Sequence, residues 1–141
     1  MKKTAVIYWS GTGNTEAMAN AVLEGMKAAG AEATLLTPDQ VDASALSDYD
    51  AIAFGCPAMG SEVLEEMDFQ PMFDACKNML SGKRVALFGS FGWGDGQWMR
   101  DWESDCSNAG ISLTCESVTC CETPDDTALA ACREMGKALA G

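Results

Sequence analysis

The chain has 141 residues, 48% of them apolar, the size and content of a single domain, 1–141, around one buried core. Nine basic against 21 acidic residues give a net charge of −12, which argues against nucleic acid or an anionic membrane as partner and for a protein with a basic docking surface. There is no histidine, and the seven cysteines form no Cys-x-x-Cys pair, so metal sites lack their usual spacings and the commonest neutral-pH acid–base is missing.

The N-terminal "MKKTAVIYWSG" has too short an apolar run for a secretory signal. It predicts a first strand, "TAVIYW" at 4–9, apolar throughout as in a strand buried on both faces, and a cytoplasmic protein. Met18, Val22, Met26 and Ala29 recur at helical spacing over 14–29, with Gly30 as a stop. "EATLLT" at 32–37 predicts a second strand ended by Pro38, and "DAIAFG" at 50–55 a third. Phe69, Phe73, Cys76 and Leu80 mark a helix with Pro71 near its start, followed by a fourth strand, "RVALFGS", at 84–90. Trp98, Trp102, Cys106 and Ala109 form one stripe of a helix over 96–109, so both tryptophans are expected in the core. "ISLTCESV" at 111–118 predicts a fifth strand, and a helix over 125–140 closes the chain, opened by Pro124 and Asp125. The thiols are expected reduced and mostly buried, the tightest cluster being Cys115, Cys120 and Cys121.

Five strands alternating with helices predict an α/β fold, a parallel sheet covered on both faces by right-handed crossovers. Ligands of such sheets bind beyond the carboxyl ends of the strands, where the strand order reverses. The loops after strands one, three and four are distinctive.

"YWSGTGNTE" at 8–16 joins a strand to a helix through two glycines and four neutral donors. Such a loop offers backbone N–H groups and a helix N-terminus to a phosphate. The triphosphatase pattern fails for want of its lysine, and the dinucleotide pattern lacks its third glycine, since position 16 is Glu, although Asp39 stands where a ribose contact would come. A hydroxyl-rich loop for a terminal phosphate monoester is the third reading, and a plain Gly/Ser turn the fourth. "GCPAMGSE" at 55–62 sets the flexible thioether of Met59 beside Gly60. "FGSFGWGDG" at 88–96 flanks Trp93 with Gly92 and Gly94, a setting for a stacking surface rather than a core plug. Together the loops describe a ligand with a terminal phosphate, a linker and a flat ring: flavin mononucleotide (FMN).

"SGTGNTE", "GCPAMGSE" and "GSFGWGDGQWMRDW" follow the right strands in the right order, and along nearly its whole length the chain resembles the short-chain flavodoxins. The resemblance implies a flavodoxin-like three-layer sandwich, with a five-stranded sheet in the order 2-1-3-4-5. It implies that Ser10, Gly11, Thr12, Gly13, Asn14 and Thr15 bind the phosphate. Met59 would lie on the inner face of the ring and Trp93 on the outer face. The Gly60–Ser61 peptide would turn its carbonyl toward flavin N5, and Glu62 would meet the pyrimidine edge. Backbone at Ser90 and Gly92 would line the ring and ribityl chain, with Pro57, Ala58, Phe91, Gly94 and Asp95 completing the site. Many members have Gly-Asp where this chain has Gly60-Ser61, and serine where it has Pro57, which cannot donate an N–H.

The implied function is that of a low-potential one-electron carrier, not an enzyme, shuttling between semiquinone and hydroquinone and passing electrons between redox enzymes as a monomer. A charge about 10 Å from the reduced anion, at effective dielectric about 40–80, repels it by roughly 0.4–0.8 kcal/mol, on the order of 20–35 mV. An acidic surface therefore lowers the potential, and a lysine in the phosphate loop would oppose it. The alternatives are an FMN-dependent NAD(P)H:quinone reductase and a phosphate-binding module without redox chemistry.

Overall fold

The computed structural model describes residues 2–11, 13–60, 63–92 and 94–141. The strands are β1 (Lys3–Tyr8), β2 (Glu32–Leu36), β3 (Ala51–Gly55), β4 (Arg84–Phe91) and β5 (Val118–Cys121). The helices are α1 (Asn14–Ala28), α2 (Phe69–Cys76), α3 (Gln97–Asn108) and α4 (Asp126–Ala140). Every strand pair is parallel and the sheet order is β2-β1-β3-β4-β5, as the resemblance implied. Two 3-10 turns, Pro38–Gln40 and Ala43–Asp48, fill the β2–β3 connection and were not read from sequence.

Through the middle of β3 and β4 large and small side chains alternate between the two faces. Along β3, Ile52 and Phe54 face the layer of α2 and α3, and the intervening Ala51 and Ala53 face α1 and α4. Strand β4 repeats the split, with Val85 and Leu87 on one side and Ala86 on the other. The α2/α3 layer meets its large neighbours with aromatics. Phe73 stands edge-on to Phe54 at 5.1 Å between centroids, and Trp102 lies edge-on to Phe69 and Phe73 at 5.5 and 5.6 Å. Trp98 and Trp102 are both buried, as the helical stripe predicted.

The α1/α4 layer is built from close backbone approach. A Cβ on Gly136 of α4 would overlap the Val22 carbonyl oxygen of α1, and one on Gly25 would overlap the Arg133 carbonyl oxygen. Asp125 caps α4, its carboxylate accepting from Ala128 N–H at 2.8 Å; such caps contribute about 1 kcal/mol.

One element differs from expectation. The fifth strand is Val118–Cys121, and of the expected 111–118 stretch only Leu113 bridges to β4, at Val85, before Val118 joins the strand. Ile111 and Leu113 pack on the α2/α3 side, whereas Cys115, Val118 and Cys120 pack on the α1/α4 side. Residues 113 and 115 of a regular strand would share a face, so the chain must turn over between them.

All seven thiols are free; Cys56, Cys76, Cys106 and Cys132 are buried, Cys115 and Cys120 half-buried, and Cys121 exposed. Burial pushes Cys56, Cys106 and Cys132 up to about 12, which keeps them protonated at neutral pH. Among the described residues no group of three or more His, Cys, Asp or Glu is placed to hold a metal, and no helix is long and apolar enough to cross a membrane.

Candidate functional site

The register sets the ends of three strands side by side, Tyr8 against Gly55 and Gly55 against Phe88, so the loops after β1, β3 and β4 leave one edge of the sheet together. This edge holds the reversal of strand order, where β1 connects outward to β2 and β3 lies on its other side.

After β1 the chain turns through Gly13, which caps α1 with φ at +94°, a left-handed conformation that glycine adopts without penalty. The turn brings two backbone N–H groups onto one point: Gly13 N and Glu16 N both donate to Ser10 Oγ, at 3.1 and 3.2 Å. A hydroxyl oxygen there occupies the convergence of donors that an anionic oxygen would satisfy. The one acid of the turn is drawn aside, since the Tyr8 hydroxyl donates to the Glu16 carboxylate at 2.9 Å. Burial and this bond both raise the Tyr8 pKa, so the hydroxyl keeps its proton. Thr15 is buried, and its hydroxyl lies 2.8 Å from that of Ser90, which ties the start of α1 to the end of β4.

The loop after β3 is fastened by its backbone. Cys56 N donates to Phe88 O at 3.2 Å, Ala58 N to Ser90 O at 3.0 Å and Met59 N to Val63 O at 2.8 Å. Trp98 donates its indole N–H to Cys56 O at 3.1 Å, which makes a core tryptophan a support of the loop. Gly60 is exposed, its φ is outside the left-handed region, and a Cβ there would meet nothing within 4 Å. Nothing about this conformation requires glycine at position 60.

After β4, Phe91 packs on Trp98 with ring centroids 5.5 Å apart, and its carbonyl accepts from Glu122 N at 2.7 Å. Gly94 and Gly96 have φ of +86° and +90°. Arg100 holds the turn between them, donating to the Asp95 carbonyl at 3.0 Å and its carboxylate at 2.9 Å.

These loops surround a cleft of about 300 Å³, the lower end of the range for small-molecule sites. Of the expected residues, Gly11 and Asn14 line it from the first loop, Pro57, Ala58 and Met59 from the second, and Ser90, Phe91 and Gly92 from the third. Ser10, Gly13, Thr15, Gly60, Gly94 and Asp95 stand on the same loops without forming its wall. The expectations for Thr12, Ser61, Glu62 and Trp93 fall outside the described residues. Two lining residues, Trp9 and Glu122, were missed from sequence. Trp9 reads as the last residue of an apolar strand, and Glu122 follows a strand whose position was misjudged. Glu122 is also the one non-glycine residue with positive φ, +59°, among those described. A largely apolar wall, beside a loop whose N–H donors converge at Ser10 Oγ, suits a flat ring bearing an anionic tail, which is the chemistry of FMN.

Comparison with known proteins agrees with this geometry. The family model described as Flavodoxin matches residues 6–136. The chain is 42% identical over 135 residues to a flavodoxin of Clostridium beijerinckii, covering 96% of this chain and 97% of that one. It is also 42% identical over 135 residues to a flavodoxin of Megasphaera elsdenii, covering 96% of each. The solution structure of two-electron reduced Megasphaera elsdenii flavodoxin superposes with a TM-score of 0.89 at 41% identity, covering 97% of this chain and 98% of that one. The chain belongs to the flavodoxin family. It is accordingly an FMN-binding, low-potential one-electron carrier that exchanges electrons with redox partners, not an enzyme, and the quinone-reductase reading finds no support in these matches.

Proposed function

We propose that this carrier seats FMN in the cleft between the three loops. The phosphate is held by Ser10, Gly11, Thr12, Gly13, Asn14 and Thr15, and the ring by the segments 57–62 and 90–95, with Met59 and Trp93 on its two faces. The observation that supports this best is the pair of N–H groups converging on Ser10 Oγ, in the same loop whose Gly11 and Asn14 line the apolar cleft. FMN supplies the one-electron chemistry; the chain supplies its setting. Neutral donors bind the phosphate through charge-assisted hydrogen bonds without adding the positive charge that would raise the potential. Met59 and its neighbours exclude water from one side of the cleft. Gly60 brings no side chain of its own to restrict the backbone there.

The remaining parts of the reading rest on charge and size. With a net charge of −12, the partners are redox proteins with basic docking surfaces, met in the cytoplasm by a single-domain monomer. Quenching of flavin fluorescence tests the site. Apoprotein is expected to bind FMN at least about 100-fold more tightly than riboflavin, since two or more charge-assisted bonds to the phosphate are at stake. Equal affinity for the two would place the phosphate outside the loop and overturn the assignment.

A further inference from the structure

Glu65 is the only charged side chain that is fully buried among the described residues, 5% exposed, and the cleft chemistry does not use it. Its carboxylate accepts three backbone N–H bonds at the start of α2, from Met67 and Phe69 at 2.8 Å and from Asp68 at 2.7 Å. Its own backbone N–H donates to Cys56 Sγ at 3.4 Å. Cys56 is the last residue before the ring loop and Glu65 follows that loop closely, so one residue joins the two ends of the loop and pins both to a helix. Burial alone would raise its pKa, but the N–H groups of Phe69, Asp68 and Met67 outweigh this and hold the carboxyl below the ordinary carboxylate range.

We propose that Glu65 is a positioning residue for the FMN loop, a clasp that closes residues 56–65 into a ring and limits the conformations open to Met59 and Gly60. The proposal rests on the reading of 57–62 as the ring loop. Inside the clasp a second bond runs from Met59 N to Val63 O at 2.8 Å. The loop is therefore fixed at its base while its tip stays unhindered at Gly60. A loop held this way needs little further ordering to take up its ligand, and releasing the clasp lowers affinity by the fraction of molecules no longer competent.

Sign separates this role from two others. Removing a negative charge near a phosphate dianion would, by Coulomb's law alone, tighten FMN binding; loss of positioning loosens it. A purely structural role would lower the melting temperature of the apoprotein and leave the affinity and potentials of the folded protein unchanged.

The experiment compares wild type, Glu65→Gln and Cys56→Ala by FMN fluorescence titration, potentiometric titration and apoprotein melting, at a temperature where circular dichroism shows each chain folded. Glu65→Gln keeps the volume but loses one acceptor and the charge, and is expected to bind FMN about tenfold more weakly or worse, with an altered gap between the two one-electron potentials. Cys56→Ala removes the acceptor for Glu65 N–H without changing charge, and is expected to shift both in the same direction by a smaller factor. It also carries the test by itself if Glu65→Gln does not fold. Wild-type affinity and potentials in the variants, with only the melting temperature lowered, would overturn the clasp. Failure of the wild type to quench FMN fluorescence would instead overturn the site on which the clasp rests.

Discussion

The two faces of the sheet are packed differently. On the α1/α4 face the strands present Ala51, Ala53 and Ala86 beside the larger Val6, Tyr8 and Phe88, the helices add Met18, Met26, Met135 and Leu139, and α1 and α4 close on each other backbone to backbone at Gly25 and Gly136. On the α2/α3 face the strands present Ile52, Phe54, Val85 and Leu87, and the space is filled by Phe69, Phe73, Trp98 and Trp102. At Gly25 and Gly136 the α1–α4 contact has no side chain to adjust, and α1 carries the loop after β1 at its N-terminus. Interlocked side chains can shift slightly, and from that face come the supports of the ring loop: the Trp98 indole under Cys56 and the α2 terminus under Glu65.

Substitutions can break this contrast. The largest effect is expected from Gly136→Ala. Its new Cβ overlaps α1 backbone that cannot turn away, which costs about 3 kcal/mol, against about 1 kcal/mol that alanine returns in helix propensity. Urea denaturation of the apoprotein is expected to show a net loss of about 2 kcal/mol, and no loss would mean the helix pair is not tightly seated. Next is Thr15→Val, which preserves shape but strips the buried Ser90 hydroxyl of its partner; the same measurement should register about 1–2 kcal/mol. Glu122→Gln then probes the ring side alone. A charge removed at about 8 Å, with effective dielectric about 40–80, stabilises the reduced anion by roughly 0.5–1 kcal/mol, which raises the lower potential by about 20–45 mV. The smallest effect on stability is expected from Gly60→Ala, within about 0.5 kcal/mol, because its Cβ would stand in open space. A clear loss of apoprotein stability there would erase the difference between the two faces.

Much of the fold was legible because buried parallel strands read as unbroken apolar runs, and "TAVIYW", "DAIAFG" and "RVALFGS" each fall within one residue of the strand found. The fifth strand misled because Ile111, Leu113 and Cys115 alternate perfectly, yet the chain turns over between 113 and 115, and alternation records spacing but not which face is presented. The three loops could be found because glycines and aromatics there had no role in core periodicity. Trp9 and Glu122 could not. One was absorbed into a strand pattern, and the other faces the cleft through a left-handed backbone that its residue type does not announce. Glu65 was the least legible, because its carboxylate bends back onto the N–H groups two, three and four residues further on, a local contact that residue type alone does not distinguish from a solvated charge.

The turned-over segment before β5 also shapes what the molecule does to its neighbours. β5 is one of the two margins of the sheet, β2 being the other, and it pairs over only four residues, with an irregular stretch between Leu113, which bridges to β4, and Val118. A long straight margin would invite another copy to add its own strand and stay. A protein that works by brief encounters gains from a ragged border, because contacts made along it cannot lengthen into permanent ones.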